Sequence, residues 1–367
     1  MPGIKEMTAT ILNGMPNAWG QSIHIPSECD GLAFCKQIEE FIGEFRSKDG
    51  DKRPTNYEDI YYVITQINDH ETGNYDNPAL DPLIEKIKKP TEQTAVWEKR
   101  FGERWLIPVS RDACNYINKS VWNMLNRSIT STSHLECIAE FCEEYPNACI
   151  VTLNHDIVLE SFLDSRGISY NDGFNLIDGE PCFDPASLNL KRGILLLKLH
   201  GSISWFRRQP RYESDEESEM RTPPRETIFK ARNGSNFGYT KNAKGEDQYL
   251  IDGSPLLMIG NHNKIQEYTS YFYSHLYCAF HAALERSDKL VVCGYGFGDK
   301  GINTRIVEWR HQGGKKVVVI HEEPDKLFTD CRKAVLGLHN DPGVRTILSF
   351  MKKNLTWQSV EEELAKA

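Results

Sequence analysis

Short runs of consecutive apolar residues mark the strands of a predicted sheet from residue 148 onward. The run at 194–197 is bounded by Gly193 and leads into a His-Gly pair, and similar runs occupy 148–153, 255–260, 289–293 and 315–320. Apolar runs of this length indicate strands that are buried on both faces of an open sheet. The pattern therefore predicts the α/β fold class, with a parallel sheet covered by helices.

Before the first of these strands the pattern is helical, because apolar residues recur at steps of three and four. One predicted helix begins near residue 57, where Asn56 or Thr55 can cap its N-terminus and where acidic residues fill the first turn. Further helices are predicted at 96–105, 114–125 and 134–144, and a long aromatic helix at 268–285. This amount of helix predicts a helical subdomain, residues 30–148, inserted into the sheet domain.

Two other segments are turn-rich or polar. Residues 8–12 predict a short strand, but Gly14 and Gly20 after it are not the clustered glycines of a phosphate-binding loop. Residues 207–252 are dense in charge and include an acidic run at 213–219. Such runs are usually solvated loops, so this segment is predicted to be a flexible polar insertion.

Composition limits the function classes. The chain has 367 residues and a net charge of -9, which argues against a nucleic-acid-binding surface as its main function. Its ten cysteines include no C-x-x-C pair, so we expect reduced thiols in the cytoplasm and no metal site. No secretory signal or long apolar stretch is present in the sequence, so we expect no membrane partner.

Two predicted strands end in polar residues at the edge where open α/β sheets bind ligands. His200 can exchange protons near neutral pH, and Gly201 allows close approach to the backbone. Asn154 and Asp156 offer an amide and a carboxylate to a sugar hydroxyl or a water. Structural alternatives remain, because His200 can be a hydrogen-bonded core residue and Asp156 can cap the next helix.

Two later strands also end in candidate binding residues. Gly294, Gly296 and Gly298 follow the run at 289–293, so a ligand can lie against bare backbone there, facing the next helix N-terminus. Tight turns without a ligand are the common alternative for such glycines. His321 and Glu322 follow the last run and form an end suited to contacts with ribose or base.

Taken in order, segments 152–156, 198–202 and 294–303 resemble the motifs of the sirtuin-like superfamily, specifically its NAD-hydrolysing branch in bacterial antiphage defence. The resemblance covers residues 148 to about 323. It implies a single sirtuin-like domain over 1–367, with a Rossmann-like parallel sheet formed by 148–206 and 253–325. NAD+ is the substrate that it implies.

The resemblance also implies roles for single residues. Asn154 matches the asparagine that positions water and ribose hydroxyls, and His200 matches the catalytic histidine. Asp156 matches the acid beside that asparagine. The other matches are to residues that contact NAD+, namely Gly294, Gly296 and Asp299 along the dinucleotide and His321 and Glu322 at its adenosine half.

These residue types suit cleavage of the bond between nicotinamide and ribose. The reaction builds an oxocarbenium-like centre, so a site must hold the ribose, exclude bulk water and orient one nucleophile. His200 can accept a proton from that water or from a ribose hydroxyl, and Asn154 can hold the water. Deacylating sirtuins carry a four-cysteine zinc module after the His-Gly strand, whereas 202–287 contains only Cys278. NAD+ hydrolysis therefore ranks above deacylation.

Three hypotheses stay open at this stage. The first is an NAD+ glycohydrolase that depletes cellular NAD+ in antiphage defence, and the second is an NAD-dependent protein deacylase. The third is a non-catalytic nucleotide-sensing subunit, favoured because only 14–16 resembles the family's N-terminal glycine motif. An NAD-destroying chain needs restraint, so we expect a homo-oligomer, and the resemblance suggests a HerA-like hexameric ATPase or another defence partner. Direct contact with nucleic acid is not expected.

Overall fold

The computed structural model describes most of the chain, and the described residues belong to two compact units. The ranges described are 2–14, 29–48, 53–74, 77–177, 179–188, 193–210, 227–231, 240–241, 247–250, 254–260, 264–322, 327, 343–349 and 355–367. The first unit contains Met1–Arg127, Asp252–Pro255 and Ile259–Asn263. The second contains Ser128–Ile251, Leu256–Met258 and Lys264–Ala367. The protein is a mixed α/β structure with parallel sheets and many helices.

The first unit is helical. Its helices are α1 Ile4–Asn13, α2 Asp30–Lys48, α3 Tyr57–Thr72, α4 Asp81–Ile87, α5 Glu92–Phe101 and α6 Leu106–Leu125. The predicted cap of α3 is confirmed at Asn56, whose side chain accepts hydrogen bonds from the N–H groups of Glu58 and Asp59. Helix α6 begins earlier than predicted, because Pro108 is compatible with a first helical turn and buried Leu106 and Val109 extend the apolar face.

The strand predicted at 8–12 is wrong, because these residues belong to α1. The buried side chains of this helix are Met7, Thr8 and Ile11, which share one helical face. The Thr8 hydroxyl donates to the Ile4 carbonyl at 2.7 Å, a bond that fits a helix and not a strand. Packing of that face overrides the strand preference of the β-branched residues.

The second unit contains the sheets. Its strands are β1 Cys149–Thr152, β2 Tyr170–Asn171, β3 Phe174–Ile177, β4 Glu180–Phe183, β5 Ile194–Lys198, β6 Trp205–Pro210, β7 Thr227–Lys230, β8 Thr240–Lys241, β9 Asp247–Leu250, β10 Lys289–Cys293, β11 Lys316–His321 and β12 Val344–Leu348. Its helices are α7 Glu136–Glu144, α8 Val158–Ser165, α9 Lys264–Glu267, α10 Tyr271–Arg286, α11 Lys300–Arg310 and α12 Trp357–Lys366. Four of the five strands predicted from residue 148 onward and the long aromatic helix are present within a few residues of their predicted bounds.

Six strands form two parallel sheets of three, in the orders β1-β5-β2 and β10-β11-β12. The middle strand β5 is buried throughout, as its apolar run predicts. Strand β1 is only half-buried, with Val151 37% exposed, because it pairs with β5 on one side alone among the described strands. Phe141 of α7 packs against apolar clusters that contain residues of both sheets.

A third sheet corrects the prediction for the polar segment. Strands β6, β7, β8 and β9 lie within or beside 207–252 and join β3 and β4 in a six-stranded sheet of order β3-β4-β7-β6-β9-β8. Buried Phe206 and Phe229 pair across β6 and β7, which explains strand formation in a charged segment. The acidic run at 213–219 lies outside the described residues.

The strand predicted at 255–260 is also wrong. This stretch makes one isolated bridge, between Leu257 and Gly201, and no ladder. Its backbone instead follows the segment after β5, where the Met258 N–H donates to the His200 carbonyl at 2.8 Å. In the part of the chain that the structure describes, no helix is long and apolar enough to cross a membrane.

Candidate active site

His200 lies just beyond the end of β5, and the chain turns sharply after it. Gly201 has φ +85°, and a Cβ built there would lie 2.1 Å from the Leu256 carbonyl oxygen. Only glycine fits this position, because both the left-handed backbone and the close approach exclude a side chain. The sequence suggested that Gly201 allows a ligand to approach the backbone. In the structure, the group that approaches it closely is the Leu256 carbonyl.

Asp299 and Tyr268 hold the imidazole of His200. The His200 Nε2 atom lies 3.0 Å from Asp299 Oδ2 and 3.0 Å from the Tyr268 hydroxyl, and that hydroxyl donates to Asp299 Oδ2 at 2.9 Å. All three residues are buried, and His200 is only 4% exposed. Because His200 follows β5 and Asp299 follows β10, this contact joins the C-terminal ends of two strands from different parallel sheets.

The local fold fixes Asp299 independently of His200. Asp299 is the N-cap of α11, and its Oδ1 atom accepts from the Ile302 N–H at 3.0 Å. The hydroxyl of Tyr295 accepts from the Asp299 N–H at 3.2 Å and donates to Asn303 Oδ1 at 2.9 Å. One carboxylate oxygen therefore serves the helix, and the other serves His200 and Tyr268.

Burial decides the charge states of this cluster. It lowers the pKa of His200 to about 4, although Asp299 acts in the opposite direction, and it raises the pKa of Tyr268. Burial also opposes ionisation of Asp299, but the hydrogen bonds from His200, Ile302 and Tyr268 outweigh it and lower the Asp299 pKa. At neutral pH the cluster is a neutral imidazole, an ionised carboxylate and a protonated phenol. We assign the Nε2 proton to the bond with Asp299 on this basis.

The loop after β1 lies against His200. The Leu153 backbone acts to raise the His200 pKa, against the larger effect of burial. The ring centroids of His155 and His200 are 6.3 Å apart, and burial also lowers the pKa of His155. Asn154 is exposed, and among the residues that the structure describes its side chain has no hydrogen-bond partner. Its amide is thus available to a ligand.

Asp156 acts structurally in this loop. Its Oδ1 atom accepts from the N–H of Val158, the first residue of α8, at 3.0 Å. The N-cap position is Ile157, one residue later, so the helix-capping alternative holds only in that Asp156 bonds to the first turn from outside the helix. Its role as the acid that contacts NAD+ stays a prediction.

The sequence did not mark His155, Tyr268 or Tyr295 as candidate site residues, because no local pattern distinguishes them. Their place is set by contacts between residues far apart in the chain.

The glycine loop after β10 leaves room for a ligand. A Cβ built at Gly294, Gly296 or Gly298 would meet no atom of the described residues within 4 Å. Phe297 between them is 1% exposed and has φ +50°, a left-handed conformation that is uncommon outside glycine. The Asn303 amide holds it by donating to the Phe297 carbonyl at 2.7 Å. The exposed loop backbone fits the ribose or phosphates of a dinucleotide, whereas the N-terminus of α11 is already capped by the Asp299 carboxylate.

The remaining candidates lie at the end of β11. His321 is its last residue, opposite Leu348 of β12, and Glu322 follows it. Because β11 pairs in parallel with β10, both residues lie at the same sheet edge as the glycine loop. Their contact with the adenosine half of NAD+ stays a prediction.

Among the described residues no group of three or more His, Cys, Asp and Glu is placed to hold a metal ion.

Comparison with known families agrees with the arrangement of these residues. No match to a curated protein was found. Residues 148–347, more than half of the chain, match the model of the SIR2-like domain family. The match contains β1, β5, β10, β11 and the loops that follow them, and SIR2-like domains use NAD+. On this evidence the chain belongs to the SIR2-like family.

Proposed function

We propose that this protein is an NAD+ glycohydrolase, which cleaves the nicotinamide–ribose bond and so depletes cellular NAD+ in antiphage defence by abortive infection. One observation carries the proposal. In a chain of the SIR2-like family, His200 contacts Asp299 and Tyr268 where the strands of two parallel sheets end. The two sheets would then be halves of one Rossmann-like nucleotide-binding layer.

The residues at this edge fit NAD+ as a substrate. The open space at Gly294, Gly296 and Gly298 lets the loop backbone approach the diphosphate and ribose. NAD+ itself supplies an electrophilic ribose carbon and a nicotinamide leaving group. The protein has to hold the ribose and present one oriented water.

His200 and Asn154 would have different roles toward that water: His200 accepts its proton and Asn154 holds it in place. His200 is neutral at physiological pH with its Nε2 proton on the bond to Asp299, so its Nδ1 atom can accept a proton from the water as the water oxygen bonds to ribose. Asp299 is ionised and 3.0 Å away, so it stabilises the imidazolium that forms. The exposed Asn154 amide can hold the water by hydrogen bonds.

One experiment separates the three candidate functions. Purified protein is incubated with NAD+, with and without an acylated lysine peptide, and free nicotinamide is measured. Nicotinamide release without peptide supports the glycohydrolase, whereas release that requires the peptide and removes the acyl group supports the deacylase. NAD+ binding without release under either condition supports the nucleotide-sensing subunit. The His200→Ala variant serves as the matched inactive control.

We further propose that the activity is restrained by assembly. A homo-oligomer, or a complex with a HerA-like hexameric ATPase or another defence partner, would keep a cytoplasmic NAD-consuming chain inactive until infection. The resemblance to defence proteins is the support for this proposal. Sizing of the purified chain, alone and after co-expression with a candidate ATPase, tests it.

A further inference from the structure

A lysine is buried at the end of the strand that precedes His200. Lys198 is the last residue of β5 and is 1% exposed, although the four residues before it are aliphatic. Its Nζ atom lies 3.0 Å from Glu160 Oε1 in α8 and also donates to the backbone carbonyl of Asp156. The lysine thus connects β5 both to α8 and to the loop that follows β1.

Stability alone does not account for this lysine. Taking an ammonium and a carboxylate out of water is costly, and apolar side chains of similar volume often replace such a pair without loss of stability. The second Glu160 oxygen is buried without a hydrogen-bond partner in the described part of the chain, so the pair is also incompletely satisfied. The bond to the Asp156 carbonyl is different, because an apolar residue cannot make it.

That carbonyl belongs to the loop that carries Asn154 and lies against His200. Two other bonds restrain the same loop: the Ile203 N–H donates to the His155 carbonyl at 2.9 Å, and the Val158 N–H donates to Asp156 Oδ1 at 3.0 Å. The bond from Lys198 and the bond to the Asp156 carboxylate are both charge-assisted, and such bonds are roughly twice as strong as neutral ones. Of the three, the Lys198 bond is the one made by a side chain of β5, the strand that His200 follows.

We infer that Lys198 is a positioning residue, which sets the Asn154 loop relative to His200 by holding the Asp156 carbonyl, while Glu160 balances its charge. The inference rests on the proposed function, since the geometry that it fixes is that of the reacting water. Asn154 follows β1 and His200 follows β5, so the two residues are held by different strands. A displacement of about 1 Å between reacting groups can lower a rate about 100-fold.

Two variants distinguish a positioning role of Lys198 from a role limited to its ion pair with Glu160. Glu160→Gln removes the ion pair but leaves Lys198 bound to the Asp156 carbonyl, so kcat is expected to stay within about threefold of the parent. Lys198→Met/Glu160→Gln removes the bond to the loop as well, so kcat is expected to fall about 100-fold with KM within about threefold. If the second variant fails to fold, Lys198→Met/Glu160→Met replaces it.

A matched control comes from β7 in the six-stranded sheet, whose strands pair antiparallel. Lys230 and Asp172 also form a largely buried ion pair, so Lys230→Met/Asp172→Asn is expected to leave kcat unchanged. A folded Lys198→Met/Glu160→Gln protein with the kcat of Glu160→Gln would overturn the inference.

Amide hydrogen exchange tests the role of Lys198 without relying on enzymatic activity, so its outcome is independent of the proposed function. If the parent releases no nicotinamide, the proposed function fails, and exchange at the Ile203 and Val158 amides then decides the role of Lys198. Exchange at least tenfold faster in Lys198→Met/Glu160→Gln than in Glu160→Gln supports the role. Equal exchange rates overturn it.

Discussion

The Asp299→Asn substitution tests the negative charge of Asp299, because it removes that charge and keeps the size of the side chain. Asn and Asp cap helices about equally well, so the bond from the Ile302 N–H and the start of α11 are expected to survive. What changes is the other oxygen, which accepts from His200 at 3.0 Å and from Tyr268 at 2.9 Å. The substitution therefore removes the anion that stabilises protonated His200 and leaves the local fold in place.

The size of the effect follows from these two bonds. Hydrogen bonds to charged groups contribute about 1.5–3 kcal/mol, against about 0.5–1.5 kcal/mol for neutral ones. Losing the charge from both bonds thus removes about 2–3 kcal/mol, which corresponds to a fall of about 30- to 150-fold in kcat for nicotinamide release. The His200 pKa, already lowered to about 4 by burial, is expected to fall further, so the acid limb of the pH–rate profile moves to lower pH.

The assay is nicotinamide release from NAD+ between pH 4 and 8, with thermal unfolding of each variant measured alongside. Tyr277→Phe is the matched control, because that hydroxyl donates to the Gly301 carbonyl and not to the carboxylate of Asp299, although its ring stacks on Tyr268. It is expected to keep the parental kcat. A folded Asp299→Asn protein with kcat within threefold of the parent would refute the role given to the anion.

Four further outcomes are expected. His200→Ala and Asn154→Ala should each lower nicotinamide release by about a hundred- to ten-thousand-fold with the fold intact, since both residues lie beyond strand ends, and near-parental turnover of either folded variant would contradict the assignment. The free energy of unfolding should fall as the pH drops from about 6.5 toward 4, because the unfolded chain protonates His155 and His200 while their folded-state pKa values are lowered; equal urea midpoints at pH 7 and 5 would argue against buried neutral histidines. Activity should survive exhaustive chelation, because the sequence has no paired cysteine knuckles, and stoichiometric zinc in the purified protein would revive the deacylase alternative. NAD+ should bind weakly to the monomer and turn over faster at higher protein concentration, because few clustered glycines are present near the N-terminus to donate to the diphosphate; tight binding measured by calorimetry on a monomer would exclude this dependence.

The sequence alone determined the features that depend on short-range pattern. The runs at 194–197, 289–293 and 315–320 predicted β5, β10 and β11, because a buried strand needs only a few consecutive apolar residues. The cap at Asn56 was equally predictable, since capping involves residues three positions apart. The order of the short motifs that contain Asn154, His200 and Asp299 also indicated the family.

Tertiary structure decided what depends on contacts between distant residues. The polar segment forms strands because Phe206 and Phe229 pair across β6 and β7, and α1 is a helix because one face is buried. His200 meets Asp299 across 99 positions and Tyr268 across 68 positions, and local periodicity holds no information on either pairing. The burial that makes His200 neutral arises only when β5, the Asn154 loop and α11 come together. The sequence therefore identified His200 as a candidate residue, but the tertiary structure determines its protonation state and its hydrogen-bond partners.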